Sequence, residues 1–337
     1  MAWRNMSDAV RPRGVDSRRT FTPAETILAV QLACLPVVMV AYGFAYDWPR
    51  LAQLALGATG LLLAHTLAER RQWESLAQVI RLYFTLVSSC ICISQISIVL
   101  ASTSSSLIDG SLAALDRRLF GITWEDVGPP MAREPVIAIV LSLAYNSLSW
   151  QPFVLLGLFI LRQRHRDAKQ LLVAWLLATS ISVIVFPFAP ALGGYLHLGY
   201  ERDAFPHVLV GAAWDFAPVL SGARDGSLRM LGETPAIGLV TFPSFHAAGG
   251  LILGWFGLRV RGGWAFALLN ALMIVSTIPI GGHYLIDVVA GLALAVVVLA
   301  LVSWLHRTSD RDDGIVLSRR FPPAATSEHL IGVVTRR

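Results

Sequence analysis

Residues 284–306 read YLIDVVAGLALAVVVLALVSWLH, a run in which Asp287 is the one acid and no Lys or Arg occurs. As a helix rising 1.5 Å per residue the run spans ~35 Å, enough to cross a hydrocarbon core of ~30 Å. Seven further apolar runs, at 24–45, 51–68, 76–100, 135–161, 168–187, 243–258 and 262–280, predict the same kind of helix. The expected fold is therefore all-α, a polytopic membrane protein of about eight transmembrane helices. Composition agrees. Of the 337 residues 55% are apolar and 15% charged, where a soluble domain carries about 25% charged residues. The formal charge of +5 and a pI near 9.4 would ordinarily raise the question of nucleic acid. Here the basic residues lie between spans, so the charge reads as topology and no nucleic-acid partner is expected.

Eight crossings put both termini on one side, and the Lys/Arg balance selects the side. Nineteen basic residues, among them Arg4, Arg70, Arg71, Arg162, Lys169, Arg259 and Arg307, share one compartment, against seven in the opposite loops, Arg50, Arg117, Arg118, Arg133, Arg202, Arg224 and Arg229. Both termini are expected in the cytoplasm. Arg81, little more than a turn inside its helix, is expected to snorkel to the headgroups. Residues 1–23 form a basic tail, 24–75 two accessory helices, and 76–306 a six-helix core. The tail lacks a short apolar stretch with a cleavage site, so the first helix reads as retained. Cys34, Cys90 and Cys92 lie inside apolar runs without metal or redox spacing and read as small core residues.

Two outer segments exceed simple turns. In 101–134, Leu107, Ile108, Leu112, Leu115 and Leu119 recur at near-helical spacing opposite Asp116, Arg117 and Arg118, predicting an amphipathic helix on the outer surface. Residues 188–242 mix Gly and Pro with Trp214, Asp203, Asp215 and Asp225, predicting an ordered cap. The stretch 307–337 is Arg/Asp/Ser/Pro-rich without period and reads as a flexible cytoplasmic tail.

Following the orientation along the chain brings Phe242-Pro243-Ser244-Phe245-His246 and Gly281-Gly282-His283-Tyr284-Leu285-Ile286-Asp287 to the same membrane face, each at a helix start. Pro243 suits a first helical turn, and Ser244 can place a hydroxyl beside the free N–H groups there, a ready anion site. His283 and Asp287, four residues apart, share a helix face. A carboxylate on Nδ1–H fixes the imidazole tautomer, turns Nε2 outward and stabilises positive charge as the ring attacks. His283 is thus the expected nucleophile, Asp287 its brace, and His246 the acid and base for the departing and incoming oxygens. This is a design for phosphoryl transfer through a phosphohistidine that requires no metal and no cofactor.

At these residues the sequence resembles the type 2 phosphatidic acid phosphatase superfamily, whose motifs read P-S-x-H and S-R, five residues, H, three residues, D. Here they stand as Pro243-Ser244-Phe245-His246 and Ser276-Thr277, five residues, His283, three residues, Asp287. Thr277 replaces the family arginine, and the third, Lys/Arg-rich motif has no convincing copy. The replacement is similar to the branch that includes inositolphosphorylceramide synthases and many bacterial relatives. Leu115-Asp116-Arg117 with Gly121 and Trp124, Ala144-Tyr145 with Gln151, and Pro187-Phe188-Ala189-Pro190 resemble the same branch. The resemblance, over roughly 76–306, implies a lipid phosphatase or inositolphosphotransferase-like enzyme of a bacterial inner membrane, its site on the outer face and its substrate a phospholipid or lipid phosphate. With the motif arginine absent, a buried dianion needs another cation. Arg224 and Arg229, in Arg224-Asp225-Gly226-Ser227-Leu228-Arg229, are the candidates beside Ser244.

Plainer readings stand next to these. His197 and His207 lack an Asp four residues on, and His65 and His165 lie toward the cytoplasmic side. Tyr145, Asn146 and Gln151 read first as interhelical hydrogen-bond partners. The alternative function is a transporter or scaffold that keeps the fold without turnover. An ion-coupled transporter would carry acids near mid-bilayer, where these helices have none, and no internal repeat is visible.

Overall fold

A computed structural model describes residues 22–232 and 238–320. The first helix, α1 (Pro23–Ala41), opens on Thr22, whose hydroxyl and backbone N–H both pair with the Glu25 side chain, closing a capping box. It is followed by α2 (Trp48–Arg70) and α3 (Glu74–Ala101). Arg81 of α3 finds a partner on α1. Its guanidinium forks onto Glu25, Nη2 to Oε2 at 2.7 Å, a charge-assisted pair between α1 and α3. Deeper in, Gln31 accepts from Ser89 at 2.6 Å and donates to Ser180 at 2.9 Å, tying α1 into the bundle. Cys92 is buried, whereas Cys34 faces outward, where a small apolar side chain meets lipid as readily as core.

The expected outer segment is two helices, α4 (Asp109–Phe120) and α5 (Trp124–Arg133). The face that α4 buries differs from the one its leucines suggest. Asp109, Leu112 and Asp116 point inward and are buried, while Leu115 and Leu119 are exposed, Leu119 at 61%. Hydrogen bonding overrides the apolar stripe, since both carboxylates find backbone N–H donors inside the fold.

The expected fourth span is broken into α6 (Pro135–Asn146) and α7 (Gln151–Leu161), joined by a single 3-10 turn at Ser147–Ser149. Pro152, in the first turn of α7, cannot donate to the preceding turn, so a helix starts there rather than continuing. After α8 (His165–Val185), the cap carries α9 (Gly194–His197) and α10 (Ala212–Asp225). Trp124, Tyr195, Phe205 and Trp214 pack together beneath it, with Trp124 edge-on to Tyr195 and centroids 4.7 Å apart. A short parallel pair, β1 (Ala45–Tyr46) and β2 (Met230–Leu231), sets Ala45 against Met230.

The last three helices are α11 (Phe245–Gly257), α12 (Trp264–Ser276) and α13 (Leu285–Arg320). The first two have thirteen residues each, ~20 Å long, shorter than the 16- and 19-residue spans expected. Among the described residues, five helices are long and apolar enough to cross a membrane by themselves, α1, α2, α3, α8 and α13. The short α11 lies inside the bundle against α7, α8, α12 and α13. Ile252, Leu253 and Phe256 meet Phe159, Leu172, Met273 and Val298 in its main apolar core. Gly291 lets α13 pass close to the start of α11, for a Cβ there would collide with the Ser244 carbonyl. α13 runs past the expected end at 306 as far as Arg320, and no proline interrupts the chain before Pro322. Residues 1–21 and 321–337, which include most of the two expected tails, lie outside the described residues.

Candidate active site

His246 is the second residue of α11 and His283 stands two residues before α13, so two helix starts deliver both imidazoles to one place. Tyr145, Phe216, Thr241, Gly281 and the loop 238–240 join them around a cavity of about 170 Å³. A ligand-sized pocket usually measures about 300–1,000 Å³, so this chamber is smaller than most. A second chamber of about 260 Å³ lies between α3 and α8. Its lining includes Ile93, Ser97, Trp175, Thr179 and Val183, and it shares Gly238, Val240 and His246 with the first.

The sequence places His283 and Asp287 on one face, and the structure brings Nδ1 to 3.4 Å from Oδ2. That separation, just outside a good hydrogen bond, still orients the ring toward the acid. The same Oδ2 accepts the Tyr284 N–H at 3.0 Å, so the carboxylate is itself held. Both residues are buried, Asp287 fully. On its other side His283 is fixed through its backbone. Its N–H donates to the Thr277 carbonyl at 3.1 Å, and the Gly282 carbonyl receives the Gly194 N–H at 2.8 Å. Thr277 therefore holds the histidine turn with its main chain, while its hydroxyl is spent on Ile274 within α12.

Ser244 is the N-cap of α11 rather than a residue of its first turn, and its hydroxyl accepts the Ala247 N–H. Its own N–H donates to the Asp287 carbonyl at 3.1 Å, stitching the two helix starts together. Arg224 and Arg229 are not among the residues lining the cavity. Arg224 donates to the Ser104 hydroxyl and the Ser105 carbonyl, and Arg229 donates to the Ala223 and Leu228 carbonyls while lying over the Phe44 ring. His197 and His207 also stay outside the cavity. His65 and His165 line cavities elsewhere, with Glu69 and with Lys169 respectively.

Three further residues support the site, Tyr145 and Asp116 from segments that resemble the branch and Asp109 from none of the motifs. Tyr145, read first as an interhelical partner, stacks on the His246 imidazole. Asp116 accepts the N–H groups of Leu285 and Ile286 at 2.8 and 2.9 Å. Burial pushes its carboxyl above the ordinary range, and those two donors pull it back. Asp109 accepts from Leu192, Gly193 and the Tyr284 hydroxyl. Their signal in the sequence is two acids seven residues apart on one helix, a face set for donors and not for lipid.

A search of the curated proteins and a search of the solved structures each found no match. The family model described as the PAP2 superfamily matches residues 110–301, from α4 into the first half of α13. Membership of it supports a phosphatase-type phosphoryl transfer on lipid phosphates in a membrane. The match covers more than half of the chain and includes both histidines and the acid behind one of them, and the chain belongs to the PAP2 superfamily.

Proposed function

We propose that the protein is a membrane-embedded enzyme that transfers a phosphoryl group from a lipid phosphate or phosphodiester at the outer membrane face. The observation that carries this reading is the shared cavity, into which His246 and His283 arrive from separate helices with Asp287 behind the second. In this reading Nε2 of His283 attacks phosphorus, and the P–O bond to the leaving alcohol breaks. His246 gives that oxygen a proton, leaving a phosphohistidine. Water or an acceptor hydroxyl then loses its proton to His246 as its oxygen attacks phosphorus, and His283 is released. Asp287 favours the imidazolium form that develops on the way. The chamber between α3 and α8 supports a lipid substrate, because its mixture of hydroxyl and apolar side chains leads from the bundle to His246.

The test uses purified full-length protein in detergent with short-chain phosphatidic acid, and with phospholipid plus a free alcohol for headgroup exchange. Wild type is expected to release phosphate or exchange headgroups, and His283→Ala and Asp287→Asn to lose at least about a hundredfold. Vanadate, which mimics five-coordinate phosphorus, is expected to inhibit. Equal rates for wild type and His283→Ala would remove the assignment and leave a transporter or scaffold as the better reading.

A further inference from the structure

We infer that Asp116 is a positioning residue for phosphoryl transfer, acting from α4 on the turn that presents His283. The inference rests on the reading of His283 as the nucleophile. Leu285 and Ile286 are the first two residues of α13, and N–H groups at those positions have no acceptor within their own helix. Asp116, fully buried, takes both. Asp287, in the third position, turns back to the Tyr284 N–H. Two carboxylates from different elements therefore occupy the donors of a single turn, and one of them is the acid that faces His283.

The clasp extends further. Asp109, on the same face of α4, accepts the Tyr284 hydroxyl and the N–H groups of Leu192 and Gly193. Gly194, next in the chain, donates to Gly282 immediately before His283. The histidine turn is thus held by α4 from in front and by Thr277 from behind. A negative charge at a helix start is favourable in itself. What the geometry adds is location, because the turn carries a reacting group, and a displacement of about 1 Å at such a group costs roughly a hundredfold in rate. α13 is 36 residues long and is anchored well beyond this turn, where Ala295, Val298 and Val302 enter the main apolar core, so its existence does not depend on this contact.

The experiment compares kcat and KM for wild type, Asp116→Asn, Asp116→Ala, Asp126→Asn and His283→Ala, as full-length protein in detergent with short-chain phosphatidic acid, or by headgroup exchange. Asparagine keeps the volume and one acceptor but sets an NH2 group against the second N–H. Asp126 pairs with Thr123 on α5, outside the cavity, and serves as the control. We expect Asp116→Asn to lower kcat about tenfold with KM within about twofold and an unfolding temperature within about 2 °C of wild type. Asp116→Ala should lose more, and Asp126→Asn should match wild type. Wild-type kcat in Asp116→Asn would overturn the inference, as would a loss shared by kcat and unfolding temperature in both Asp116 variants. If His283→Ala is as active as wild type, the proposed function fails instead. An inactive His283→Ala beside fully active Asp116 variants removes the positioning role alone.

Discussion

The ring of Tyr145 lies face to face with the imidazole of His246, centroids 3.8 Å apart and planes 15° from parallel. A stacked pair of this kind contributes about 0.5–1.5 kcal/mol beyond area burial and leaves the imidazole little freedom to tilt. Tyr145→Phe keeps the flat face and should stay within about threefold of wild type, whereas Tyr145→Leu should lose roughly three- to tenfold in initial rate. A Phe variant as slow as the Leu variant would show that the hydroxyl, not the face, is what His246 needs.

Gly193 tests the backbone that carries His283. Its φ is +84°, and a Cβ there would stand 2.8 Å from the Gly282 carbonyl oxygen. Gly193→Ala is expected to destabilise by about 1–3 kcal/mol and to lower turnover by displacing the histidine turn. Gly110→Ala on α4, where a Cβ meets nothing within 4 Å, should leave activity unchanged. Thermal unfolding and initial rates of the pair measured side by side would check this.

A buried polar relay joins the broken span to α12. Asn270 donates to Gln151 at 2.7 Å, and Gln151 donates to the Ser147 hydroxyl at 2.7 Å. Gln151→Leu should cost about 1–3 kcal/mol by leaving those partners unmatched. Turnover per folded molecule should stay close to wild type, since Gln151 is not among the cavity residues. The check is denaturation in mild detergent alongside the rate of the monodisperse fraction.

Arg224 and Arg229 separate two roles. With their guanidiniums on backbone and serine oxygens, Arg224→Gln and Arg229→Gln should each lower stability by about 1 kcal/mol and leave KM within about twofold. A tenfold rise in KM at unchanged unfolding temperature would show instead that a guanidinium leaves those oxygens for the substrate phosphate.

The membrane class is legible in the chain because uncharged apolar runs of bilayer length are rare in proteins that fold in water, and the four-residue spacing already pairs His283 with Asp287, although His283 stands in the turn ahead of α13. The broken fourth span is less so. A 27-residue apolar run looks continuous, and only Pro152 and the serines at 147 and 149 hint at the interruption. The buried face of α4 escapes a reading by pattern for a physical reason. Periodicity counts apolar residues, but Asp109 and Asp116 are drawn inward by N–H groups that belong to segments over eighty and nearly 170 residues later. Tyr145 is ambiguous in the chain because stacking on a histidine depends on a neighbour roughly a hundred residues away. The positions of Arg224 and Arg229 lie beyond sequence altogether, since Ser105 and Phe44 come from distant helix ends.

The small ladder between Ala45–Tyr46 and Met230–Leu231 bears on how much of the polypeptide the enzyme needs. Ala45 and Asp47 donate to the carbonyls of Arg229 and Leu231, both at 2.9 Å, which moors the leader of α11 to the hairpin between the first two helices. A chain cut back to residues 110–301, the stretch the family model matches, would lose that mooring. The loop between α1 and α2 thus braces the segment that leads toward α11.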